Sequence, residues 1–146
     1  MVLFKRYHIY PMHEGIKTYT RRFWKFPHVK IGKAYDVTHK MFYSPEDVIG
    51  TVYIEGIFKQ PLGMMTEKDA YNEGGYTLRG YKRTLEAISK KPWCDTDVPY
   101  VIKFRFVLSD IIDGNGGTKE IGEYKRQYYH HMNEVEDMNL YPSEKI

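Results

Sequence analysis

The sequence predicts an α+β fold: a small mixed β-barrel with flanking helices and an extra C-terminal helix. Three observations carry this expectation. Five segments rich in β-branched and aromatic residues are broken by turn residues, and helices do not alternate with them regularly, which argues against a doubly wound sheet. Helix-start residues stand at Thr66 and Thr77. A three-and-four spacing of apolar residues runs from Ile121 to Met138.

Taken in order, Val2 to Tyr7 reads as a first strand. Pro11-Met12-His13-Glu14 suits one helical turn with Pro11 at the first helical position, and Gly15 stops it because glycine takes a left-handed backbone without steric cost. Thr18 to Trp24 is a strand by composition, with Thr18, Thr20 and Arg22 on one face and Lys17 at its mouth. Gly32 turns the chain into a strand from Lys33 to Phe42. Val48 to Lys59 alternates, placing Val48, Gly50, Val52, Ile54 and Phe58 on one face. Thr66-Glu67-Lys68-Asp69 opens a helix that Gly74 and Gly75 break. Thr77 caps a second helix with an apolar stripe of Leu78, Tyr81, Leu85 and Ile88 beside a basic face of Arg79, Lys82 and Arg83. Tyr100 to Val107 closes the set of strands. Gly114-Asn115-Gly116-Gly117 is a turn or hinge before a helix bearing Ile121, Tyr124, Tyr128, His131, Val135 and Met138. That helix either folds back on the barrel or joins two chains as a homodimer. The division is thus a barrel domain over 1–108 and a turn with an amphipathic extension over 109–146.

Composition narrows the function classes. A chain of 146 residues with 28% charged and 42% hydrophobic residues is an ordinary globular protein. No apolar run approaches the ~20 residues of a membrane span, and the N-terminus has too short an apolar core for a secretory signal. The single cysteine, Cys94, excludes an internal disulfide and fits a cytoplasmic setting; it has no evident histidine partner for nucleophilic work. A net charge of +3 permits a polyanionic partner without demanding one. The 14 tyrosines either fill the barrel or offer stacking surfaces, and basic residues interleave with aromatic ones in Lys17-Thr18-Tyr19-Thr20-Arg21-Arg22-Phe23-Trp24-Lys25. His130, His131, Glu134 and Asp137 include a three-residue spacing, but with no second ligand cluster they read as a solvated helix face. No metal or other cofactor is expected.

Two segments carry candidate chemistry: Gly15-Ile16-Lys17-Thr18 running on to Arg22, and Asp69-Ala70 with Glu73-Gly74. With Gly32 and the closing strand up to Phe106, their order resembles that of an ASCH domain, a branch of the PUA-like β-barrels associated with RNA. The resemblance spans roughly residues 2 to 108. It departs at Gly32-Lys33, where the family often has Gly-Asp, and this makes that edge more basic. The resemblance implies RNA or a modified nucleoside as partner. Some members look like amidohydrolases that remove the acetyl group from N(4)-acetylcytidine, and their proposed active residues fall on Lys17, Thr20 and Glu73. Others resemble RNA-binding modules or ribonucleases.

The chemistry is coherent residue by residue. A threonine hydroxyl is inert until a neighbour takes its proton, and a buried lysine beside other cations loses its proton more readily. Lys17 would activate Thr20 or a water, Glu73 would donate a proton to the leaving amine or position the base, and Arg22 would stabilise negative charge. Arg21 and Lys33 add cationic contacts to nucleotide or RNA, and Trp24 or Tyr19 offers a ring for stacking. Equally, Lys17 and Glu73 read as a plain ion pair, Thr20 as a strand residue and Arg22 as an anchor across the barrel.

Overall fold

The structure, a computed structural model, describes residues 1–109 and 118–137. Five strands form one curled, open mixed sheet: β1 (Val2–Leu3), β2 (Tyr19–Arg22), β3 (Ala34–Thr38), β4 (Gly50–Lys59) and β5 (Tyr100–Leu108). Their spatial order is β1-β3-β4-β5-β2. The β1–β3 pair is parallel and the other three pairings are antiparallel. Among the described residues, four α-helices flank the sheet: α1 (Ile9–His13), α2 (Glu67–Asn72), α3 (Leu78–Ser89) and α4 (Thr118–Asp137). The edge strands β1 and β2 leave a seam, and a side chain bridges it: Arg22 Nη2 donates to the Leu3 carbonyl at 2.7 Å.

Local chemistry explains most boundaries. Thr66 and Asp69 form a reciprocal capping box at the start of α2, and the Thr77 hydroxyl accepts from Gly80 N–H at the start of α3. Gly15 takes φ +76°, just past the end of α1, but that helix begins at Ile9, so Pro11 is its third residue and not its first as expected. Gly50 faces the ring of Phe106, and a Cβ there would lie 2.5 Å from the Val107 carbonyl oxygen, so only glycine fits that central strand position.

Several expectations are corrected. β1 stops at Leu3, and Arg6–His8 forms a 3₁₀ turn instead of continuing the strand to Tyr7. The strand expected from Lys33 to Phe42 is confined to Ala34–Thr38. A bulge between Ile54 and Gly56 shifts the two-residue alternation of β4 by one position. Ile57 therefore packs on the core and Phe58 is exposed, against the expected face. Ile88 ends the stripe of α3 in an exposed position. The turn at Gly114–Gly117 and Met138 lie outside the described residues.

Two apolar clusters hold the domain. One joins Val2, Phe4, Ile9, Val37, Val52 and Phe104 inside the sheet, and the other joins Leu62, Met65, Ala70, Tyr76 and Tyr81 under α2 and α3. Helix α4 folds back across both, giving Tyr124 to the first and Val135 to the second. His131 is buried rather than solvated: its ring stacks on Tyr7 at 3.6 Å, and its Nε2 is hydrogen-bonded to the Tyr76 hydroxyl at 2.7 Å. Burial, followed by the nearby Lys5 and His130 charges acting against Glu134, pushes its pKa down to about 4.

The sign of this linkage is definite. The unfolded chain takes up the His131 proton near pH 6.5 and the folded chain only near 4, so stability from the neutral ring is complete above 6.5 and is lost as pH falls towards 4. Urea midpoints should fall across that window. His131→Phe should flatten the fall, because it removes the group that must stay neutral; an unchanged slope would show that other groups carry it.

Candidate functional site

Backbone bonds place the candidate residues before any side chain acts. The Pro11 carbonyl accepts from both Ile16 and Lys17 N–H, which fixes the turn leaving α1. Thr18 N–H donates to the Asn72 carbonyl, tying the start of β2 to the end of α2. Glu73 is the C-terminal cap of α2, and Gly74 and Gly75 follow with φ of +145° and +84°. The Tyr128 hydroxyl of α4 donates to the Gly74 carbonyl at 2.9 Å, holding that turn from outside.

Lys17, Arg21 and Glu73 thereby meet in the interior, although 56 and 52 positions separate the two cations from the carboxylate. Lys17 Nζ donates to the Glu73 carbonyl at 2.8 Å and to the Tyr19 carbonyl at 3.0 Å, and lies 3.9 Å from Glu73 Oε1. A lysine in this position also closes off an orphan carbonyl at a helix C-terminus. Arg21 Nη1 donates to Glu73 Oε2 at 2.9 Å, while its Nη2 donates to Gln60. The side chains of Lys17, Arg21 and Glu73 are 2%, 2% and 3% exposed. Burial pushes the Lys17 ammonium down to about 8; Glu73 opposes that shift, and Arg22 and Arg21 add to it. Tyr81 completes the carboxylate's surroundings. Burial holds its hydroxyl well above the ordinary range, reinforced by the Glu73 charge and by a hydrogen bond to it.

These groups line a cleft of about 270 Å³ at the open seam between β1 and β2. Thr20 and Arg22 stand on its wall, with Arg22 Nε donating to Thr20 Oγ1 at 3.2 Å. The guanidinium also lies over the Phe4 ring, 4.8 Å from its centroid. Two of its five N–H donors are thus engaged, leaving donors for a ligand. Lys5 and His8 complete the polar rim. Burial and then the nearby Lys17 and Arg22 charges hold His8 well below the ordinary histidine range, so it enters as a neutral ring.

The expected residues therefore divide. Lys17, Thr20, Arg21, Arg22 and Glu73 gather at one cleft. Tyr19 contributes its backbone carbonyl to Lys17. Trp24 packs against the core with its ring stacked on His28, and Lys33 is exposed beside the Gly32 turn; neither lines the cleft. His8, Tyr76 and Tyr81 were not singled out as site residues. A strand through Tyr7 hid His8, and the apolar stripe hid Tyr81, whose hydroxyl was the available clue. Among the described residues, no group of three or more His, Cys, Asp or Glu side chains is arranged to hold a metal.

Removing one partner from a buried ion pair leaves the other charge uncompensated, at a cost of about 3–5 kcal/mol. Arg21→Met should destabilise the domain by that order in urea unfolding. Adding Glu73→Gln should return part of the loss, since the group left without its guanidinium is then a neutral amide and not a buried carboxylate. A single variant as stable as wild type would show that Arg21 does not compensate Glu73.

No family model matches the chain, and no curated protein matches it. Among solved structures, the crystal structure of an ASCH domain from Lactobacillus crispatus JV V101 is similar with a TM-score of 0.52 and 14% identity, over 66% of this chain and 67% of that one. A DUF984 protein from Enterococcus faecalis V583 has a TM-score of 0.49 and 16% identity, over 72% of this chain and 69% of that one. The chain has the fold of an ASCH domain.

Proposed function

We propose that the seam cleft binds a nucleobase, as part of an RNA- or nucleoside-related function, and hydrolyses an exocyclic amide on it, as in deacetylation of N(4)-acetylcytidine. The observation that carries this reading is the buried Lys17 amine, with its pKa at about 8, in a cleft of about 270 Å³ shared with Thr20, Arg22 and Glu73. That volume lies just below the usual ~300–1,000 Å³ of small-ligand pockets and suits one base rather than a duplex.

In its free-base form Lys17 removes a proton from a water or from the Thr20 hydroxyl, and that oxygen adds to the acetyl carbonyl. The Arg22 donors receive the oxyanion charge. Arg22 Nε already donates to Thr20 Oγ1, which favours loss of the hydroxyl proton. The proton held by Lys17 then passes to the departing exocyclic nitrogen, releasing acetate and the free amine. Glu73, fixed by Arg21 and Tyr81, accepts from the amino edge of the base and orients it. In the direct route water supplies the added oxygen; if Thr20 attacks, water hydrolyses the acyl-threonine in a second step.

Purified protein given N(4)-acetylcytidine should release acetate and cytidine. Lys17→Ala should reduce turnover by about 10²-fold or more, and Glu73→Ala should also be impaired, with both variants checked for folding by circular dichroism. Because the free base is the active form, kcat/KM should rise with pH and level off above about 8. A folded Lys17→Ala that retains wild-type turnover would sink the assignment.

A second reading is favoured by the two Lys17 hydrogen bonds to backbone carbonyls, the pattern of a lysine retained for structure. On that reading the cleft binds RNA without turnover. Wild-type protein would release no acetate, and its RNA affinity would fall steeply with salt through the phosphate contacts.

A further inference from the structure

Beyond the seam cleft lies a second chamber of the same size, about 270 Å³, and the two share Phe23, Leu85 and Ile88 as walls. Phe23 and Ile88 are 53% and 49% exposed, so among the described residues no element seals the ridge between the chambers. Leu62, Pro92 and Trp93 give the second chamber an apolar, partly aromatic lining. Its one deeply buried charged side chain is Glu86, 1% exposed. Glu86 Oε2 accepts from the Trp93 backbone N–H at 2.7 Å, whereas Oε1 is buried without a hydrogen-bond partner among the described residues. Buried carboxylate oxygens are seldom left this way, because the lost hydration is not repaid.

Resting on the nucleobase reading of the first cleft, we propose that the second chamber receives the adjacent base of a single-stranded nucleic acid, with Glu86 Oε1 accepting from an N–H on that base. The chamber's charges select a base edge over a phosphate. Glu86 and Asp97 are both present, and Lys91 is already paired with Asp97 at 3.5 Å. The linking phosphate instead has cations on the side of the ridge towards Arg22. Arg22, with donors still open, and the exposed Lys5 both line the first cleft, which shares that ridge. A ring against Trp93 and a carboxylate for its donor edge are what an unstacked base requires, and a duplex would keep that base paired.

The probes are the RNA dinucleotides CpG and GpC, and cytidine linked through the same phosphodiester to an abasic ribose, each titrated calorimetrically. Guanine supplies N–H donors for Glu86, and the abasic control keeps the phosphate while removing the second base. One dinucleotide should bind roughly tenfold or more tighter than its abasic control, the size of one stacked base. Glu86→Gln and Trp93→Ala should each bring that dinucleotide down towards the control while leaving control binding within about twofold. Equal binding of dinucleotides and controls by wild type would overturn the second chamber alone. A gain that survives in both variants would do the same. Wild type that binds no cytidine-containing probe would overturn the nucleobase reading and this inference together. Tighter dinucleotide binding without acetate release would support the second chamber and remove only the proposed hydrolysis.

Discussion

The rest of the structure depends on a buried carboxylate that is never left alone. Glu73 ends α2 inside the domain, and the Arg21 guanidinium of β2, the Lys17 ammonium of the turn before it and the Tyr81 hydroxyl of α3 converge on it. A charge in that environment is tolerable only when its partners are held in place, so the contacts that satisfy Glu73 also fix β2 against the two helices. The Lys17 bond to the Glu73 carbonyl adds a helix-end contact to the same junction. A change that moves one of these groups forces the others to find new partners or to lose charge.

That arrangement creates the tension on which a function can rest. Burial and two arginines lower the Lys17 pKa, while Glu73 opposes the shift without cancelling it. The result is an amine near its titration point at physiological pH, where a proton can be taken and returned at small cost. The nearby Arg22 serves two ends. It ties the two edge strands together through Leu3 and lines the cleft, so closing the seam and presenting a guanidinium to the cleft are one structural event.

Helix α4 explains how a short, open sheet keeps such a site in place. Its Tyr128 hydroxyl secures the Gly74 carbonyl, immediately after Glu73, and leaves no room for a side chain at Gly75, where a Cβ would come within 2.6 Å of that hydroxyl. His131 sits between Tyr7 and Tyr76 and joins the N-terminal turn to the segment entering α3. The helix outside the span of the family resemblance thus contributes to both apolar clusters of the domain.

The sequence by itself determined what local chemistry governs. Thr66 with Asp69, Thr77 and Gly15 mark helix ends because capping and left-handed turns act within a few residues. The apolar stripe of α4 and the alternation of β5 were legible for the same reason. The residues of the cleft were legible as types in an order. Only the tertiary structure decided their partners, since the meeting of Arg21 with Glu73 closes a loop of 52 residues that no local rule specifies. It also decided the bulge that turns Phe58 outward, the turn that brings His8 to the rim, and the packing that removes Trp24 from the cleft. Each of these depends on which surfaces are buried together, and burial is a property of the assembled fold rather than of any stretch of chain.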